Sequence, residues 1–343
     1  MTTVTDDPSG VKTAHVVLDE ALGRDWHDSS LDVDLVKVRL TSLQHRRELE
    51  AAGFLVKPSW VNWIAPLLDS EQAFLSRLPL KERQSVRQAA RRAEANGVEL
   101  VVLEEVTERD LQRFLELYDR QVARMERGIN YARRQQRQLA RRLDSLLAVH
   151  AYAGDRLVGG CLGWLRPDRA MVQLRFSAVD DGARQGMLSR VLYSTALEAA
   201  RHRGLTWASL GNDPSLFGHT AQPGLFRFKA RLGFRPVPTQ AIPPKVTGDE
   251  AELVVRMRAL AEPSLSLAYD GDDPVRGDDG FPEALPLRAV RYSEHDVPPG
   301  GLPVSGFPIP VECRRIPADS AVAARRAEAA LLRSYGTVLS KPR

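Results

Sequence analysis

A chain of 343 residues, 43% of them apolar and with a formal net charge of +4, suffices for two domains or one elaborated globular domain. No apolar run nears the roughly 20 residues of a membrane span, and the polar start MTTVTDDPSG lacks the basic and apolar regions of a signal peptide. Cys161 and Cys313 have no metal-ligand spacing, and Asp272, Asp273, Asp278 and Asp279 lie in a Gly/Pro-rich loop that reads as solvated surface. The expectation is a cytoplasmic, reduced protein with no metal and no membrane span.

Residues 1–30 are polar and read as a loose N-terminal segment. From Asp32 to Trp63 a strand–helix–strand pattern follows: VDLVKVRL, then LQHRRELEAAG, then FLVKPSWVNWI. Asp69 to Gly97 reads as helix, stopped at Asn96–Gly97, and Val98 to Val106 as a strand. Thr107 with Asp110 imitates a capping box for the next helix. Leu111, Phe114, Leu115, Tyr118, Val122 and Met125 give that helix one apolar face. A second, arginine-rich helix is expected as far as Leu147. LLAVHAYA and LVGGCLGWL then form a hairpin around Gly154–Asp155, with Cys161 as a small buried thiol. Met171 to Val179 is a third strand, Gly186 to Arg203 a helix closed by Gly204, and LTWASL a buried strand before the turn GNDP. Fourteen of the 22 prolines lie between Phe234 and Pro317, which leaves no room for long regular elements, before Ala321 to Tyr335 returns to helix.

Charge is unevenly spread. Arg120–Arg142 holds eight arginines against Glu126 alone, and Lys81, Arg83, Arg87, Arg91 and Arg92 form a second basic set. These are either solvated helix faces or a lure for the phosphates of coenzyme A or tRNA.

The stretch Gln222–Pro238, QPGLFRFKARLGFRPVP, reads as a short helix with Pro223 in its first turn, a left-handed stop at Gly233 and a strand from Phe234. It resembles the helix-to-strand signature of the GNAT acyltransferase superfamily. Lys229 stands where many of those enzymes carry a tyrosine that protonates the leaving thiolate. Phe228–Lys229 instead resembles the Phe-Lys pair of the Fem-type branch, whose members move an acyl or aminoacyl group onto an amine. The resemblance implies an α/β GNAT fold, a mixed and mostly antiparallel twisted sheet flanked by helices. It places the catalytic domain over residues 98–241, after a small α/β part with a linker helix at 31–97. A Pro/Gly-rich extension would occupy 242–343.

Within that frame the donor phosphates belong at the N-terminus of the central helix, where free N–H groups and the dipole favour an anion. The matching segment is GARQGML, so Arg184, Gln185, Gly186 and Met187 are the candidate donor contacts, with Phe228 beside Lys229. The segment departs from the family's Arg/Gln-x-x-Gly-x-Gly/Ala: Ala183 and Leu188 stand at its first and last positions. The strand Met171–Val179 would supply the oxyanion donor, and its Arg175 either faces the cleft or pairs with a surface carboxylate. An opening is expected between Met171–Val179 and Leu205–Gly211. Asn212 and Asp213 would line the acceptor site with Trp207. Asp213 orients or deprotonates an amine, unless it merely caps the turn before Pro214. His219 is the candidate base, Lys229 the main catalytic residue and Tyr193 a fallback proton donor. The implied activity is N-acyl transfer to an amine of a small molecule or peptide, with no permanently bound cofactor. Acyl-CoA is the favoured donor and aminoacyl-tRNA the alternative. A catalytically inert GNAT-fold binding protein is the reading from another class.

Overall fold

The computed structural model describes residues 2–6, 10–28, 30–125, 128–184, 187–242, 248–276, 281–295 and 309–316, with backbone alone at 183 and 184. Alternation along the hairpin Leu146–Ala153 and Arg156–Arg166, interrupted by register shifts at Ala151/Tyr152 and Leu162/Gly163, sorts its side chains onto two faces. Leu147, Val149 and Ala151 join the core under the helix Leu188–His202, whereas Leu146 and Ala148 join the one under Glu108–Val122. Two adjacent glycines let both helices close in. A Cβ on Gly159 would stand 2.8 Å from Leu188, and one on Gly160 the same distance from Phe114. Next to them in the strand, Cys161 is fully buried, which pushes its thiol pKa up to about 12.

That hairpin is the heart of a seven-stranded mixed sheet. Its order is Arg235–Pro238, Trp60–Pro66, Trp207–Pro214, Met171–Val179, Arg156–Arg166, Leu146–Ala153 and Val98–Leu103. Every neighbouring pair is antiparallel except Trp207–Pro214 with Met171–Val179. The helix Leu80–Ala95 packs beside Leu188–His202. The capping box is present, with Asp110 N donating to Thr107 Oγ1 and Thr107 N to Asp110.

Several elements depart from expectation. The single helix over Asp69–Gly97 is two, Glu71–Ser76 and Leu80–Ala95, because Pro79 breaks it and starts the second. The arginine-rich helix is two short ones, Tyr131–Arg134 and Gln136–Ala140, with a 3-10 turn at Leu143–Ser145. FLVKPSWVNWI is cut at Ser59 into Leu55–Pro58 and Trp60–Pro66, and the two halves enter different sheets. GNDP is no turn, since Trp207–Pro214 runs through it.

The proline-rich stretch contributes strands to both remaining sheets. Asp249–Val254 sits between Leu35–Leu40 and Leu55–Pro58 in a five-stranded sheet. Ser264–Tyr269, Leu287–Ser293 and Val311–Arg315 build a four-stranded one with Leu216–Phe217. Pro263, Pro286 and Pro310 each stand immediately before a strand, where a missing N–H costs no ladder bond. Residues 97 and 242 therefore do not separate sheets. The expected terminal helix at Ala321–Tyr335 lies outside the described residues. Among the described residues no helix is long and apolar enough to cross a membrane.

Candidate functional site

The site begins with a failure of strand pairing. Trp207–Pro214 follows Met171–Val179 only through Trp207↔Met171, Ala208↔Val172 and Ser209↔Gln173. A bulge then interrupts its pairing with Trp60–Pro66 between Ser209 and Asn212, where Gly211 has φ +76°. The expected opening between these strands is present. It forms a cavity of about 570 Å³, lined in part by Arg175, Asn212, Asp213 and Lys229.

The helix Pro223–Arg231 delivers Lys229. Pro223 opens it, Gly233 follows with φ +87°, and helical spacing turns Phe226, Lys229 and Ala230 inward. A solvated lysine is excluded, since Lys229 is 7% exposed. Its Nζ donates to Leu210 O at 3.0 Å, a carbonyl that the bulge removes from the ladder. The same Nζ lies 2.8 Å from Asp213 Oδ2, and Asp213 is equally buried. Burial lowers the Lys229 pKa, Asp213 opposes that, and the nearby Arg175 charge adds to the lowering. Asp213 is therefore the partner of a buried ammonium and not a turn cap.

Arg175 reaches the opening from the neighbouring strand. Its guanidinium lies 5.6 Å from the Phe176 ring centroid, and Nη1 is 3.6 Å from where a Cβ on Gly211 would stand. Among the described residues no carboxylate pairs with it. Asn212 Oδ1 accepts from Asn62 Nδ2 at 2.5 Å, and Asn62 Oδ1 accepts from Ser209 Oγ at 2.8 Å. This clamp fixes the bulge. Trp60, Tyr118 and Tyr131 supply aromatic walls.

Other expected site residues stand elsewhere. Trp207 is at the far end of its strand and packs on Phe281, with centroids 5.1 Å apart. His219 does not line the cavity, although Thr220 and Ala221 do, and its carbonyl accepts from Gln222 Nε2. Tyr193 packs edge-on against Phe228 at 5.7 Å, beside Ser177 and Cys161, and burial raises its pKa. Neither Tyr193 nor Phe228 lines the cavity. Met187 caps the helix Leu188–His202 in the left-handed region and packs against the core. The side chain of Arg184, and all of Gln185 and Gly186, lie outside the described residues. In the basic segment Arg133 is held by Asp119 and Arg124 by Asp181.

Phe226, rather than Phe228, is the buried aromatic of the motif. It is 1% exposed, with Trp63 at 5.2 Å and Phe217 at 5.3 Å. Phe226→Ala is expected to cost about 3 to 5 kcal/mol in urea unfolding. The half-buried Phe228 should cost clearly less, and a reversed order would contradict this packing. Sequence reasoning missed Asn62 and Trp60. The only signal was a polar residue interrupting VNWI.

Residues 81–229 match the family model described as an acetyltransferase (GNAT) domain. No curated protein sequence matches the chain. Among solved structures, FemX is similar at 12% identity over 73% of this chain and 83% of that one, with a TM-score of 0.43. L-PGS from Bacillus licheniformis is similar at 12% identity over 74% and 83%, with a TM-score of 0.41. A tandem GNAT protein from the clavulanic acid biosynthesis pathway shows 14% identity over 71% and 75%, with a TM-score of 0.36. At such scores these likenesses bear on nothing further. The family match covers all but the first and the last of the seven-stranded sheet's strands in chain order, and it ends at Lys229.

Proposed function

We propose that the chain is an N-acyltransferase working at the splayed strands, with Lys229 and Asp213 as its central pair. The observation that carries this is the buried ammonium–carboxylate pair at the one place where the parallel ladder opens. The match to an acetyltransferase domain supports acyl transfer as the activity class.

In this reading the acceptor amine loses one proton to solvent past Asp213 and attacks the acyl carbonyl. The C–N bond forms and the C–S bond of the thioester breaks. A second amine proton is released and the thiolate takes up one, so charge balances. Backbone N–H groups of Met171–Val179 beyond Gln173, no longer facing a paired strand, receive the oxyanion. Lys229 stabilises developing negative charge, and its lowered pKa suits it to protonate the thiolate. Acyl-CoA is the proposed donor, and an amine of a small molecule or peptide the acceptor. The Fem-type assignment rests on Lys229 standing in the tyrosine's place.

Thiol release from acetyl-CoA in the presence of an amine panel tests the activity. Release with at least one amine is expected. Binding of acetyl-CoA without release from any amine would favour an inert binding protein, a reading consistent with Lys229 already being engaged by Asp213 and Leu210. For the donor, no tRNA binding is expected at low salt. Measurable binding whose salt slope flattens by about two ions' worth in Arg134→Ala/Arg137→Ala would instead assign aminoacyl-tRNA.

A further inference from the structure

Among the described residues, three charged side chains line the cavity: Arg175, Asp213 and Lys229. Lys229 and Asp213 neutralise each other at 2.8 Å. Among the described residues no carboxylate balances Arg175, so the cavity is built to receive a negative group of its ligand there. Its guanidinium is held by Phe176 and by the bare backbone at Gly211, which leaves its hydrogen-bonding edge uncommitted to any carboxylate among the described residues. Asp213 meets Lys229 through Oδ2 at 2.8 Å, yet that buried oxygen completes no hydrogen bond among the described residues. The pocket thus offers a cation and an acceptor oxygen at once.

Their spacing selects the ligand. Arg175 Nη1 lies against Gly211, and Asp213 is two residues further along the same strand, at most about 7 Å given the bulge at Gly211. An ammonium and a carboxylate on one carbon, each with a charge-assisted hydrogen bond of about 2.8 Å, bridge a gap of that order. The walls add a side-chain preference. Trp60 and Tyr131 remain 38% and 44% exposed at the opening, and Leu210 and Leu225 complete an apolar lining.

Building on the acyl-transfer reading above, we infer that the acceptor is a free α-amino acid with an apolar or aromatic side chain, its carboxylate on Arg175 and its amine on Asp213. A terminal amine of a peptide lacks the adjacent carboxylate and leaves Arg175 unsatisfied. Acceptor binding also prepares the chemistry. Burial is the main cause that lowers the Lys229 pKa and Arg175 adds a smaller part, which a carboxylate bound at Arg175 would offset.

Calorimetric binding to the full chain, in the absence of any acyl donor, separates this inference from the activity itself. L-phenylalanine is expected to bind at least tenfold more tightly than L-phenylalaninamide, which keeps the amine and ring and loses the carboxylate. Glycine should bind more weakly than L-phenylalanine. Arg175→Gln should reduce L-phenylalanine binding to the level of the amide, and Arg175→Lys should restore part of the difference. Unchanged thermal midpoints establish that these exposed-site variants are folded. Equal affinity for acid and amide, discrimination that survives in Arg175→Gln, or no binding of L-phenylalanine overturns the inference. Discrimination without thiol release in the transfer assay would leave the inference standing and remove the acyl-transfer reading.

Discussion

Lys229→Met is expected to lower transfer about a hundredfold, the loss of about 3 kcal/mol of transition-state stabilisation by a dry, preorganised cation. Methionine matches the lysine stem and is a good helix former, so the helix Pro223–Arg231 itself should persist. The fold as a whole should not be untouched, because the substitution strands Asp213, a carboxylate only 7% exposed. Breaking one side of a buried pair costs about 3 to 5 kcal/mol. The double variant Lys229→Met/Asp213→Asn removes the stranded charge. It should regain most of the lost stability in urea unfolding without regaining transfer. Near wild-type turnover in Lys229→Met would make the lysine an internal strut and take away the chemical support for the Fem-type assignment. The pH dependence has a definite sign. The folded lysine binds its proton less tightly than the unfolded one, whose value is 10.5, so stability rises with pH between the lowered folded value and 10.5. The double variant should lack that rise.

What the sequence revealed of this site was local. The signature around Gly233, the capping box at Thr107 and the hairpin at Gly154 each depend on residues within a few positions, and all three formed as read. Lys229 was nameable for the same reason, from its helix and the motif around it, whereas Asp213 was named as part of a turn through which the strand in fact continues. Their pairing was not, because it follows from the bulge at Leu210–Gly211, and the bulge depends on Asn62, about 150 residues earlier. Trp207 was misplaced by treating the strand as a point. Six residues of extended chain separate it from Asp213, roughly 20 Å. The prolines misled in another way. A proline that begins a strand and one that forbids it look alike in sequence, and only the partner strand shows which N–H was expendable. Hence the stretch beyond Ile242, read as an extension, supplies an interior strand of the five-stranded sheet, between Leu35–Leu40 and Leu55–Pro58.

That strand also brings a stability effect of the same size. Glu252 and Lys57 are both fully buried, with Nζ–Oε1 at 2.7 Å, and Lys37 Nζ lies 3.0 Å from Glu252 Oε2. Ser266 Oγ accepts from Lys57 Nζ at 3.1 Å, and Glu250 stands 3.3 Å from both lysines. Burial alone would raise the Glu252 pKa, but the two lysines outweigh it and hold the carboxyl below its usual 4.5. Glu252→Gln removes the only fully buried carboxylate facing Lys57 among the described residues and should cost about 3 to 5 kcal/mol in urea unfolding. Lys57→Met/Glu252→Leu replaces the pair with apolar volume and should cost far less, since a buried ion pair repays little beyond its own desolvation. The carboxyl is depressed on folding, so its contribution is complete above pH 4.5 and declines as pH falls toward the folded value. The stability gap between wild type and Glu252→Gln should therefore narrow below pH 4.5. A gap that widened with acid would mean that Glu252 is protonated in the folded chain. Leu55–Pro58, which carries Lys57, leads through Ser59 directly into Trp60–Pro66, the strand that holds Asn62 against Asn212. Loosening the buried cluster is thus expected to reach the bulge, and with it the carbonyl that positions Lys229.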